Sequence, residues 1–178
     1  MRTIIPIALL VVVALLVFIQ MRPDRFHVER SAVIDAPDSA ILPHINDFHA
    51  WPAWSPFEKI DPQLRRSYDG PPSGVGAGYH WAGNSQIGEG SMEIMEATPN
   101  KVGIALEFEK PFKASNVATF TLVPAGTSTK VTWAMDGQSN FMAKAMGFFM
   151  NMDTMVGGQF EKGLASLKGV AEGGSGAL

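Results

Sequence analysis

The sequence of 178 residues contains no cysteine, which excludes a disulfide framework, a thiolate nucleophile and a cysteine-ligated metal. An excess of positive charge is also missing, because 14 Lys and Arg stand against 17 Asp and Glu. A nucleic-acid-binding domain needs a basic face, so no such partner is expected. The chain has no GxSxG nucleophile elbow, P-loop, Rossmann GxGxxG or HExxH motif either. We therefore predict no cofactor, no metal site and no nucleic-acid partner.

A long uncharged hydrophobic run stands at the N-terminus, over residues 4–19. A helix over residues 3–21 would be about 28 Å long, close to the hydrocarbon thickness of a bilayer. A cleaved signal peptide is the alternative, but the flank FIQMRPDR has no small-x-small cleavage site. We expect residues 1–21 to form an uncleaved, single-pass transmembrane anchor, followed by a linker at 22–25. Arginines flank the run on both sides, so the side of the membrane on which the domain lies stays open.

The remaining chain, residues 26–172, reads as one domain dominated by strands. A strand at 26–34 and a short helix up to residue 46 come first, and a rigid aromatic loop at 47–57 follows. About six further strands are predicted between residues 64 and 135, separated by short turns rich in Gly and Pro. Val102, Ile104, Leu106 and Phe108 show the period of two most clearly. Such a meander has one apolar face, which must be covered.

Residues 151–172 are the predicted cover, a long amphipathic helix. At 100° per residue its apolar side chains gather on one face; they are Met152, Met155, Val156, Phe160, Leu164, Leu167 and Val170. Gly163 lies in the middle of this face, where it allows either close packing or room for a ligand. The predicted fold class is therefore α+β, a curved antiparallel β-sheet wrapped around a long C-terminal helix and preceded by one transmembrane helix. Residues 173–178 are predicted to be a disordered tail.

Several local strings resemble the SRPBCC superfamily, which has the START-like and Bet v 1-like helix-grip fold. They are VERSAVIDAP (28–37), NDFHAWPAWSPFEKIDP (46–62), GVGAGYHWAGN (74–84), IGEGSMEI (87–94), KVTWAMDG (130–137) and MVGGQFEKGLASLK (155–168). The chain is most similar to the bacterial polyketide cyclase/dehydrase and lipid-transport-like group, which often carries an N-terminal membrane segment. The resemblance implies a deep cavity between sheet and helix that suits an apolar or amphipathic small molecule. It does not imply one reaction.

The predicted cavity wall combines apolar residues of the sheet and of the closing helix. We assign ligand contact to Tyr79, Trp81, Met92, Leu106, Phe108, Phe120, Trp133 and Met135 from the sheet, and to Met152, Val156, Phe160 and Leu164 from the helix. Tyr79 is the expected orienting hydroxyl. Trp51 and Trp54 fit either core packing or the rim of the cavity. The predicted function is a membrane-anchored binding domain for a hydrophobic or lipid-like small molecule.

No catalytic residue is assigned from the sequence. The strand alternation places Glu89, Glu93, Glu107 and Glu109 opposite the apolar face, and His80 alternates with apolar neighbours in the same way. An acid or base would have to face the cavity, where desolvation shifts its pKa. Two alternatives stay open. One is a cyclase- or dehydratase-like enzyme, indicated if such a group faces inward; the other is an interaction module whose cavity has collapsed.

Overall fold

The computed structural model describes residues 16–21, 23–138 and 152–173. Among them, no helix is long and apolar enough to cross a membrane. Residues 1–15, which make up most of the predicted anchor, and residues 174–178 of the predicted tail lie outside the described residues. The transmembrane anchor and the tail therefore stay predictions.

An antiparallel sheet of seven strands forms the body of the domain, in the order β1-β7-β6-β5-β4-β3-β2. The strands are β1 (Arg25–Ile34), β2 (Arg65–Asp69), β3 (Gly78–Ala82), β4 (Glu89–Thr98), β5 (Lys101–Lys110), β6 (Ala114–Ala125) and β7 (Ser128–Gln138). Helix α1 (Asp38–Asn46) follows β1, and helix α2 (Met152–Ala171) ends the domain. The predicted α+β order of strand, helix, strands and long helix is confirmed.

Alternation along the strands separates a buried inner face from an outer one. On β6, Ala118, Phe120 and Leu122 are buried, while the residues between them are half-buried or exposed. On β7, Trp133 and Met135 face inward in the same way. Each large apolar side chain contributes about 1.5–3 kcal/mol when fully buried, so α2 is held on the sheet mainly by this face.

The predicted aromatic loop forms two short 3-10 helices, Phe48–Ala53 and Pro56–Lys59. The first helix sends Trp51 and Trp54 into the interior. Their indole N–H groups donate to carbonyl groups of α1, Trp51 Nε1 to Ile45 O at 3.0 Å and Trp54 Nε1 to His44 O at 2.8 Å. Because both polar atoms are satisfied, the two rings can be buried at little cost. Part of the space between sheet and helix is therefore occupied by these buried rings, which the resemblance to a hollow fold did not predict.

Two kinds of contact fix helix α2 to the sheet: ion pairs with β1, and close packing at glycines of the helix. The Arg30 guanidinium of β1 donates to Asp153 Oδ1 at 2.9 Å and to Glu161 Oε1 at 2.7 Å. A Cβ built on Gly157 would lie 2.2 Å from Arg30 Nη2, so the glycine makes room for this side chain. At Gly163 a Cβ would lie 2.7 Å from the Trp133 ring. Close packing at Gly163 is confirmed, and room for a ligand at this position was a wrong alternative.

Candidate functional site

A cavity of about 220 Å³ lies between the inner face of the sheet, the 3-10 helix Pro56–Lys59 and α2. The Trp51 and Trp133 rings form part of its wall. Its wall includes most of the residues predicted from the sequence: Tyr79, Trp81, Met92, Leu106, Phe108, Trp133, Met135, Val156 and Phe160. The interior therefore contains a cavity next to fully buried rings such as Trp54 and Phe120, and ligand contact at the wall residues stays a prediction.

Two predicted wall residues, Phe120 and Leu164, do not line this cavity. Phe120 is fully buried and lies behind Trp133, with their ring centroids 4.9 Å apart, so it supports the wall without reaching the cavity. Leu164 is buried one turn beyond Phe160 on α2 and is not among the residues that line the cavity. The Met152 side chain lies outside the described residues. For Phe120 and Leu164 the alternation gave the correct face, but it cannot tell a packed interior from an empty one.

The sequence did not identify the part of the wall that comes from the loop before β2 and from the β3–β4 turn. These residues are Ser55, Phe57, Glu58, Ile60, Leu64, Gln86 and Ile87, and Ala118 of β6 joins them. Trp51, for which the sequence left core packing and the cavity rim open, also lines the cavity. Phe57, Ile60 and Ile87 are only partly buried, so this side is where the cavity approaches solvent. The buried Asp61 carboxylate accepts hydrogen bonds from Gln63 N at 2.9 Å and Asn84 N at 2.7 Å and so ties the two segments together.

Glu58 is the charged group in this wall. Its side chain is only 4% exposed. Glu58 Oε1 accepts from the Tyr79 hydroxyl at 2.5 Å, and Glu58 Oε2 accepts from Arg66 Nε at 2.5 Å. The Arg66 side chain is 30% exposed, so the charge pair leads from the cavity wall to the surface. A buried carboxylate needs such partners because an isolated one would be strongly destabilising.

Both hydrogen-bond partners of Glu58, Arg66 and Tyr79, have a raised pKa. Its hydrogen bond raises the pKa of Arg66, which is therefore always charged. Burial raises the pKa of Tyr79 well above the usual value, and the hydrogen bond to the Glu58 carboxylate raises it further. The Tyr79 hydroxyl therefore stays protonated and donates to Glu58, so a ligand that accepts from Tyr79 would have to displace this contact, and the orienting role of Tyr79 stays a prediction.

The two tyrosines of the chain should resist ionisation. Burial raises the pKa of Tyr68 as well as that of Tyr79 above the ordinary value of about 10. Since the folded state favours the neutral phenols, this stability is fully present below about pH 10 and is lost as the pH rises further. We expect phenolate absorbance to develop above pH 10, with the Tyr79 step coinciding with unfolding and absent in Tyr79→Phe. Two phenols that ionise near pH 10 in the folded protein would contradict this.

The acidic and basic groups considered from the sequence lie away from the cavity, as the alternation predicted. His80 is exposed and pairs with Asp69 Oδ2 at 3.0 Å. Glu93, Glu107 and Glu109 are exposed, and Glu89 pairs with Lys110 Nζ at 2.9 Å. A wider, more open cleft next to Glu107 and Glu109 is lined mostly by charged and polar residues, with Phe108 and Ala114 among them. The sequence argument was nevertheless incomplete, because it did not consider Glu58, which lines the cavity.

A family model described as polyketide cyclase / dehydrase and lipid transport matches residues 25–172. No curated protein matches the chain. Among solved structures, protein CV1439 from Chromobacterium violaceum has a TM-score of 0.58 at 14% identity, over 85% of this chain and 99% of its own. The Aha1 dimer from Colwellia psychrerythraea has a TM-score of 0.55 at 17% identity, over 85% of this chain and 99% of its own. DynU16, a protein of the dynemicin biosynthetic locus, has a TM-score of 0.59 at 15% identity, over 87% of this chain and 49% of its own. At these identities the structural matches establish the fold.

Proposed function

Because the chain belongs to the polyketide cyclase / dehydrase and lipid transport family, we propose that its domain binds a small hydrophobic molecule in the cavity between the sheet and α2. The observation that carries the proposal is the cavity itself. Apart from a few polar groups, its wall is lined by apolar residues. Pockets of this composition bind ligands mainly by burying apolar surface, at about 25 cal/mol per Å² removed from water. No cofactor is needed for this function.

The size of the cavity limits the ligand. An engineered apolar cavity of about 150 Å³ takes up benzene, and this cavity measures about 220 Å³. One or two fused rings or a short alkyl chain would fit this space. The proposed lipid-like ligand is therefore a single small chain or ring system, since a lipid with two long chains would require the wall to open.

Filling the cavity should weaken ligand binding. Ala118 lies in the wall on β6, and Ala134 of β7 lies on the outer face of the sheet. We expect Ala118→Leu to reduce naphthalene affinity by at least roughly ten-fold, while its stability stays equal or rises by about 1 kcal/mol, as for other filled cavities. Quenching of tryptophan fluorescence reports binding, because Trp81 and Trp133 line the wall. Ala134→Leu is the matched control and should bind like the parent protein; equal affinity in Ala118→Leu would refute the cavity as the binding site.

We further propose that residues 1–21 anchor the domain to a membrane, on the strength of the uncharged run at 4–19. The anchor would keep the mouth of the cavity near a source of hydrophobic molecules. Extraction of cell membranes with alkaline carbonate tests this proposal. The full chain should stay in the membrane pellet, and its appearance in the soluble fraction would overturn the proposal.

A second candidate function is a cyclase- or dehydratase-like enzyme. The observation in its favour is Glu58, a carboxylate at the cavity wall that could accept a proton from a bound substrate. Mass spectrometry of compounds recovered from the purified protein separates the two functions. A carrier returns the added compound unchanged, whereas an enzyme returns one that has lost water or changed its ring connectivity.

A further inference from the structure

The polar groups in the cavity wall are unequally divided between donors and acceptors. Three of the donors are already used within the protein, and one of them is Trp51 Nε1, which donates to Ile45 O at 3.0 Å. The Tyr79 hydroxyl donates to Glu58 Oε1 at 2.5 Å, and Trp81 Nε1 donates to Ile87 O at 3.3 Å. A ligand that needs to accept a hydrogen bond would have to displace one of these contacts.

Two further donors of the wall residues do not reach the cavity. Ser55 Oγ and Trp133 Nε1 have no hydrogen-bond partner among the described residues, yet neither atom has accessible surface. Both atoms are therefore turned into the packed side of the wall. The remaining polar lining residue, Gln86, is exposed at the mouth of the cavity, so its side chain can hydrogen-bond to water.

Glu58 is different because it keeps acceptor capacity. A carboxylate has about four acceptor positions, two on each oxygen. The described contacts use one on each, from Tyr79 and from Arg66. The Arg66 guanidinium offsets the negative charge of the Glu58 carboxylate beside the apolar cavity.

We propose that the cavity selects a neutral hydrophobic molecule that carries a hydroxyl group, an alcohol or a phenol, which donates a hydrogen bond to the Glu58 carboxylate. This proposal rests on the proposed binding function and names its ligand class. An ether of the same shape cannot donate to Glu58. A carboxylic acid would be ionised at neutral pH and would bring a second negative charge to the buried one, which is strongly unfavourable.

Three naphthalene derivatives test the proposal on the intact protein, namely 2-naphthol, 2-methoxynaphthalene and 2-naphthoate at pH 7. We expect 2-naphthol to bind roughly ten- to a hundred-fold more tightly than the methyl ether, as befits a hydrogen bond to a charged acceptor. 2-Naphthoate should bind more weakly than either. Equal affinity for 2-naphthol and its ether, or tighter binding of 2-naphthoate, would overturn the hydroxyl proposal and leave the binding function intact. Failure of all three compounds and of naphthalene itself would refute the binding function.

Variants assign the preference to Glu58. The double variant Glu58→Leu with Arg66→Met removes the carboxylate together with its partner charge and should bind 2-naphthol and its ether alike. Glu93→Leu removes an exposed carboxylate from β4 and should keep the preference of the parent protein. If the double variant kept a ten-fold preference for 2-naphthol, Glu58 would not be its source. If the double variant did not fold, the comparison of the three compounds on the parent protein would still decide the proposal.

Discussion

Replacing Trp133 by alanine is expected to lower the free energy of unfolding by about 3–5 kcal/mol, the range for large aromatic residues removed from cores. Trp133 is 2% exposed and lies between two other rings. Its ring centroid is 4.1 Å from that of Phe160 on α2 and 4.9 Å from that of Phe120 on β6. Because it joins the helix to the sheet, its loss removes contacts on both sides at once.

Urea unfolding followed by circular dichroism measures this effect without depending on tryptophan fluorescence. Phe112→Ala serves as the control, since Phe112 is 49% exposed and its removal should change stability by less than about 0.5 kcal/mol. A loss below about 1 kcal/mol in Trp133→Ala would mean that the stacked rings do not hold α2 in place.

Removing the guanidinium of Arg66 should also be costly, by about 3 kcal/mol. Arg66→Met keeps most of the side-chain stem but leaves the Glu58 carboxylate with Tyr79 as its one described side-chain donor. Breaking a buried ion pair from one side costs about 3–5 kcal/mol, because an unpaired charge stays behind. The lower end applies here, since the Arg66 side chain is 30% exposed and water can reach it.

A double-mutant cycle separates the lost pairing from lost packing. Adding Glu58→Leu to Arg66→Met removes the stranded charge, so the double variant should recover much of the stability lost in Arg66→Met. Arg65→Met, at the neighbouring exposed position of β2, is the control and should stay within about 0.5 kcal/mol of the parent protein. A double variant as unstable as Arg66→Met would show that the buried charge is not what destabilises it.

The strand alternation made the sheet and its inner face predictable from the sequence. β5, β6 and β7 each place apolar residues at every second position, and a one-residue slip would expose all of them. The inward placement of Phe108, Trp133 and Met135 follows from this pattern alone. The apolar stripe of α2, which has a period of 3.6 residues, predicted the inward placement of Val156 and Phe160 in the same way.

Glu58 could not be found in this way, because it lies in a segment with no strand or α-helix period. The 3-10 helix Pro56–Lys59 directs its side chain inward, and the position of that turn depends on tertiary packing of the aromatic loop. The available signal was a chemical one: a single glutamate in a run of Trp, Pro and Phe has few solvated neighbours. Arg66 gave a second signal, since it shares its strand face with Tyr68, whose side chain is partly buried.

The pairing of β1 with β7 has a consequence for synthesis on the ribosome. β1 leaves the ribosome first among the strands, and β7 leaves last, yet they are neighbours in the sheet; His27 and Asp136, which face each other, are 109 residues apart. β1 therefore cannot pair with β7 until nearly the whole domain has been translated. Sheets closed by such distant pairings fold in about milliseconds to seconds, which is slow for a domain of this size. During that interval the apolar side chains of β1 are open to a chaperone or to a neighbouring nascent chain.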